Sequence, residues 1–335
     1  MASSHLASHK TYTEDSRFLK RGVMRIAVCA VFFGALTTTV VGQDPTMRVP
    51  VIDMHVHSTN TTPQQTLDRM KQLNIRYVFV STLFADLPRW TSALNRNQFA
   101  AGLVFPCDHG RGPYNGQSCF NSESEFPDVG WLRAELTAGR INAFGELEPQ
   151  YLGLSPADPR MEPFWQLAEE FDVPVGMHIG PGPLGIAYES SPLWPPVKSP
   201  RYRMSVGDPL LLEEVLLKHQ RLRLYVMHAG WPRLESMIAL LSVHPGVYVD
   251  VAALQSEAVM TRPAYYRYLQ GLVESGFSKR IMFGSDFPDR VGAGIDAILA
   301  ADFLSVEQKS DILCNNAARF LRLNPSSCGP GASAR

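Results

Sequence analysis

Apolar residues recur along this chain in short unbroken runs, and between the runs they recur at the three-to-four spacing of a helix face. A continuous apolar stretch of four to eight residues suits a strand covered on both sides, as in a parallel sheet. Eight such runs start at about Val49, Ile75, Phe99, Ile141, Val173, Leu222, Val247 and Arg280. Amphipathic stretches at 66–73, 130–138, 163–171, 209–219, 232–243 and 265–275 lie between them. Strands alternating with helices predict an α/β fold with a parallel sheet. Eight units in about 280 residues predict a (β/α)8 TIM barrel, whose functional face is formed by the C-terminal ends of the strands.

Those strand ends carry the chemistry. The first run reads Val51-Ile52-Asp53-Met54-His55-Val56-His57. Side chains two apart on a strand share a face, so His55 and His57 can hold one ion together. Three further runs end at His178, His228 and Asp286. A single histidine at a strand end is more often a packing or turn residue. His5, His9, His109, His219 and His244 have such bland settings, in the tail, a loop, a helix or before a proline. Four histidines and an aspartate at four strand ends form a donor set suited to zinc or another divalent transition ion.

The N-terminus is a different object. Arg17, Lys20, Arg21 and Arg25 precede an apolar run at 26–36, followed by threonines and Val40-Val41-Gly42. A basic segment, a short apolar core and small residues read as a secretory signal peptide over 1–42, leaving 43–335 as one barrel domain exported to the periplasm or beyond. An uncleaved anchor is the alternative, which the short core disfavours. Loss of this leader removes five basic and two acidic side chains and moves the formal charge from −1 to −4. A mildly acidic domain offers no electrostatic footing for nucleic acid, and no stable membrane span is expected after processing. Cys107, Cys119, Cys314 and Cys328 would remain, with three possible connectivities. Pairing Cys107 with Cys119 and Cys314 with Cys328 closes small loops and is the expected pattern in an oxidising compartment; four free thiols are the alternative.

With these residues the chain resembles the amidohydrolase superfamily, and within it the amidohydrolase-related group that also contains aminocarboxymuconate semialdehyde decarboxylase. The likeness spans about residues 47–325 and rests on Asp53-x-His55-x-His57, on His178, on His228-Ala229-Gly230 and on Gly284-Ser285-Asp286-Phe287-Pro288. It implies a divalent metal, zinc foremost, bound by His55, His57, His178 and Asp286. His228 then binds a second ion or polarises the substrate. Two-metal members bridge their ions through a carboxylated lysine or a glutamate at the end of the fourth strand, where the run 141–146 places Glu146. In that arrangement His55, His57 and Asp286 hold the first ion and His178 and His228 the second. In a one-ion site Glu146 orients ligands instead, and Glu148 is a weaker candidate for either role.

The chemistry expected is hydrolysis of an ester, lactone or amide in a small organic substrate. A divalent ion activates water and polarises a carbonyl, Asp286 shuttles a proton, and His228 stabilises developing negative charge. The alternative is non-oxidative decarboxylation of an aromatic or unsaturated carboxylic acid, with Arg201, Arg203 or Arg290 holding the carboxylate. A non-catalytic binding barrel would show broken ligand positions, and none is broken. Gly180 to Gly185 matches the G-x-G-x-x-G nucleotide pattern, but Pro181 and Pro183 forbid the helix that motif needs. The Pro-rich segment 179–208 reads instead as a lid over the functional face. Tyr151, Trp194, Trp231 and Arg290 are the expected substrate contacts, joined by Tyr188, Tyr202 and Phe287. A small-molecule substrate is the expected partner, and a homodimer stays open.

Overall fold

A computed structural model describes residues 49–329, apart from 96, 113–115, 121 and 194–196. The expected leader at 1–42 and Trp194 therefore lie outside the described residues. Eight parallel strands follow one another in sheet order: β1 (Val51–His57), β2 (Ile75–Thr82), β3 (Phe99–Phe105), β4 (Ala143–Leu147), β5 (Pro174–His178), β6 (Arg223–Met227), β7 (Tyr248–Asp250) and β8 (Ile281–Met282). Hydrogen bonds from Met54 N to Phe283 O (2.9 Å) and from Asp286 N to His55 O (2.9 Å) bring the last strand back to the first. The fold is the TIM barrel that the apolar runs predict, and each strand begins within two residues of its expected start.

Helices α1 (Pro63–Leu73), α2 (Leu87–Ala93), α3 (Val129–Thr137), α4 (Glu162–Glu170), α5 (Glu213–Lys218), α6 (Leu234–Val243), α7 (Arg262–Glu274) and α8 (Val291–Ala300) alternate with the strands. Local sequence explains their starts. Thr62 accepts from Gln65 N while the Gln65 side chain accepts from Thr62 N, and Pro63 occupies the first turn, where its missing N–H is harmless. The amphipathic stretch at 209–219 is divided, with a tight 3-10 turn at Pro209–Leu212 before α5. After β5 the chain runs through 179–208 without a regular α-helix among the described residues. Among the described residues no helix is long and apolar enough to cross a membrane.

The barrel interior is a packed core. Phe79 and Tyr225 meet edge to face at 5.5 Å in its centre, and the neighbouring strands yield space with glycine. A Cβ on Gly176 would fall 2.5 Å from Met227 Cε and 2.6 Å from the Tyr225 hydroxyl oxygen. The floor comes from the end of the chain. Helix α9 (Val306–Ser310) runs through a π-turn at Asp311–Asn315 into α10 (Asn316–Leu321). Phe320 packs on Tyr225 (5.4 Å) and on Tyr248 (5.1 Å), the latter at the N-terminal end of β7. Asn316 Nδ2 donates to Ile281 O at 2.6 Å. Cysteines pair as expected, Cys107 with Cys119 beyond β3 and Cys314 with Cys328 around the floor helix.

Candidate metal centre

The top of the barrel gathers His55 and His57 from β1, Glu146 from β4, His178 from β5, and His228 and Asp286 just past β6 and β8. All are buried except His57 and Asp286, whose side chains keep 11% and 17% exposure and form the accessible edge. Nε2 of His55 lies 3.1 Å from Nε2 of His57. Asp286 Oδ1 is 3.2 Å from His57 Nε2 and 3.9 Å from His55 Nε2. Glu146 sits in the middle and divides its oxygens. Its Oε2 faces His55 (3.4 Å) and His57 (3.2 Å), while Oε1 faces His178 Nδ1 (2.5 Å) and His228 Nε2 (3.3 Å).

The backbone is bent to make this convergence. His228, Ala229 and Gly230 carry φ of 56°, 49° and 68°, and Asp286 has φ of 62°. Such left-handed non-glycine residues persist where surrounding bonds over-determine them, and they gather at functional sites. Here His228 N donates to Asp250 Oδ1 at 2.8 Å, and the Tyr268 hydroxyl donates to Ala229 O at 2.9 Å. Asp53 ties β1 to β8, its Oδ1 accepting from Ser285 N at 2.8 Å and from His55 N at 3.2 Å.

Electrostatics pull the groups in opposite directions. Burial works against a charged Glu146, but the charge of His55 and the hydrogen bonds with His178 and His228 hold its pKa well below the usual carboxylate range. Asp286 is also disfavoured by burial and is nevertheless lowered to about 2 by His57 and by the charges of His55 and His228. His57 is raised to about 9: burial opposes its charge, and its bonds to Asp286 and Glu146 outweigh that. His178 is lowered, because burial there prevails over Glu146. Burial and the Glu146 charge push Glu148 well above the usual range, and its Oε2 has no hydrogen-bond partner.

These residues fit a divalent metal ion. Three overlapping sets, His55–His57–Glu146, His55–His228–Asp286 and Glu146–His178–His228, each hold donor atoms within 4.8 Å of one another. Two facing imidazole Nε2 atoms with a carboxylate on either side form the nitrogen and oxygen donor set that such ions take. Every ligand position expected from the strand ends is in this cluster.

The expected substrate contacts divide. Tyr151 is buried with its ring edge-on to His178 at 5.1 Å and to Tyr202 at 5.2 Å. It lines, with Glu148 and the Cys107 loop, a cavity of about 190 Å³. Tyr202 is buried and ties together the segment after β5, donating to Gly180 O and accepting from Gly182 N, both at 2.6 Å. Trp231 is half-buried and packs against the outer hydrophobic core. Arg290 is exposed at the start of α8, 3.9 Å from Asp289, and Tyr188 is exposed as well. Arg201 is tied to Asp108 (2.6 Å) and Glu125 (2.5 Å), and Arg203 donates to the carbonyls of Pro200 and Tyr202. Asp250 is the participant that sequence reasoning missed. The run at Tyr248-Val249-Asp250 ends in a carboxylate just as other strands end in candidate ligands, and that repetition was the available signal.

A parallel barrel with a histidine and carboxylate centre on its C-terminal face defines a class of metal-dependent enzymes. The amidohydrolase family model matches residues 131–323, and the chain belongs to that family. Among solved structures it is similar to a 2,6-dihydroxybenzoate decarboxylase complexed with 2,6-dihydroxybenzoate (14% identity, 82% of this chain and 99% of that chain, TM-score 0.53). It is also similar to a probable 2-pyrone-4,6-dicarboxylic acid hydrolase of Acinetobacter baumannii with citric acid bound (14% identity, 82% and 99%, TM-score 0.53). A third similar structure is an amidohydrolase of Burkholderia multivorans with bound zinc (16% identity, 82% and 100%, TM-score 0.52). At these identities the likeness is one of fold. No curated protein matches the sequence.

Proposed function

We propose that this protein is a metal-dependent hydrolase of a small ester, lactone or amide, with Glu146 bridging two divalent ions. The observation that carries this reading is the division of one carboxylate between two histidine pairs, Oε2 toward His55 and His57 and Oε1 toward His178 and His228. His55, His57 and Asp286 would hold one ion, and His178 and His228 the other, zinc being the first candidate. Ions held there would supply Lewis acidity to a carbonyl and lower the pKa of water. Asp286, ionised at neutral pH and at the accessible edge, accepts the proton of the attacking water and returns it to the leaving group. The cavity beside Tyr151 and Glu148, close to the ring of His178, is of a size that suits a compact substrate.

Metal content and turnover test this together. Glu146→Gln is expected to lose about one equivalent of metal per chain and to lower hydrolysis of an ester and lactone panel by two or more orders of magnitude. A single ion in the wild type, unchanged in Glu146→Gln, refutes the bridge and leaves His228 to polarise the substrate. Carbon dioxide release from aromatic carboxylic acids, with no incorporation of solvent oxygen, moves the chain to the decarboxylase reading.

A further inference from the structure

Asp250, at the end of β7, has no exposure at all and so touches neither solvent nor substrate. Its two oxygens work in different directions. Oδ1 accepts from His228 N at 2.8 Å and from Ala252 N at 3.0 Å. Rotating the carboxylate would orphan both buried donors, so Oδ2 is fixed, and it meets His55 Nδ1 at 3.0 Å. Gly284 keeps this contact open, since a Cβ there would stand 2.8 Å from His55 Cβ and 3.3 Å from Asp250 Oδ2.

We propose that Asp250 is a positioning residue that sets the His55 tautomer and at the same time anchors the His228 backbone, joining two histidines of the centre through one buried side chain. A carboxylate oxygen accepts and does not donate, so the proton of a neutral His55 belongs on Nδ1. That leaves the lone pair on Nε2, the atom that faces His57 at 3.1 Å and Glu146 at 3.4 Å. The other arm holds the N–H of a residue whose φ is 56°, so the same carboxylate keeps the His228 imidazole turned toward Glu146. This inference rests on the metal-centre reading above and names the residue that makes two of its ligands competent.

Asp250→Asn separates the two arms. The asparagine oxygen can keep both backbone N–H bonds, and its NH2 then faces His55 Nδ1 with a donor where an acceptor stood. His55 is driven to the Nε2–H tautomer, which cannot ligate. The metal-free variant is expected to keep the wild-type circular dichroism and a similar melting temperature, while its affinity for zinc, measured by competition with a chromogenic chelator, falls roughly 10- to 100-fold. Histidine ring nitrogen NMR on zinc-loaded wild type is expected to show His55 bound through Nε2 with its proton retained on Nδ1. That measurement needs no variant to fold. Zinc affinity in Asp250→Asn within about twofold of wild type, or zinc on Nδ1 of His55, overturns the proposal. Failure of the wild type itself to bind zinc or another divalent ion removes the metal-centre reading first, and is read before any variant is made.

Discussion

At the scale of single residues the centre is a set of charges held in compromise, and pH exposes it. His57 is raised on folding from 6.5 to about 9. A group shifted upward contributes stability in full below its unfolded pKa and loses it as pH climbs through the folded value. The metal-free protein is therefore expected to weaken between pH 6.5 and about 9, by roughly 1–3 kcal/mol, read as a falling urea midpoint. Asp286 has the opposite sign: lowered from 3.8 to about 2, it contributes fully above 3.8 and loses that contribution as pH falls toward 2. Binding at His57 must displace its proton, so zinc uptake near pH 7.5 is expected to release about one proton from that ring, visible in calorimetry across buffers of different ionisation enthalpy. The residues gathered in the candidate centre were legible in the sequence because they lie at the ends of apolar runs and the β period puts His55 and His57 on one face. The place of Glu146 between the histidine pairs was expected from the end of the fourth strand, whereas the contacts of Asp250 were not: its position at the end of β7 marks the residue, but no local pattern encodes which neighbours its two oxygens meet across the barrel.

Elements were legible to the degree that their pattern was local. All eight strands follow from apolar runs, and six of the eight alternating helices from amphipathic spacing. Helix α8, Val-Gly-Ala-Gly-Ile-Asp-Ala-Ile-Leu-Ala, has one charged residue and two glycines, so no polar face marks its period. Helix α2 is only seven residues long, too short to display one. The floor segment escaped for a different reason: α10 is defined by what it plugs, and its apolar residues answer to the barrel interior. Phe320→Ala is expected to destabilise the fold by about 3–5 kcal/mol, through lost contacts with Tyr225 and Tyr248 and the cavity left behind. Because the floor lies at the N-terminal ends of the strands, zinc stoichiometry of the folded variant is expected to stay at the wild-type value. A melting curve and a metal assay on the same sample check both halves.

For the whole molecule, the two disulfides reinforce opposite ends of the barrel, one in the loop that walls the cavity and one around the floor helix. A link that closes a 14-residue separation between Cys314 and Cys328 restricts the unfolded chain by about 3 kcal/mol in the loop-entropy account. The double variant Cys314→Ser, Cys328→Ser is expected to lose about 2–4 kcal/mol in denaturant unfolding, and reduction of both disulfides is expected to lower the wild-type midpoint at least as far. The floor also has a history in synthesis. Met282, the last residue of β8, precedes Phe320 by 38 positions, which at roughly 5–20 residues per second is on the order of 2–8 seconds of translation. Throughout that interval the nascent barrel stands open beneath, its aromatic interior wetted and without its last partner. A chaperone that attends this chain would find its target there, on the ribosome, in the time before the floor arrives.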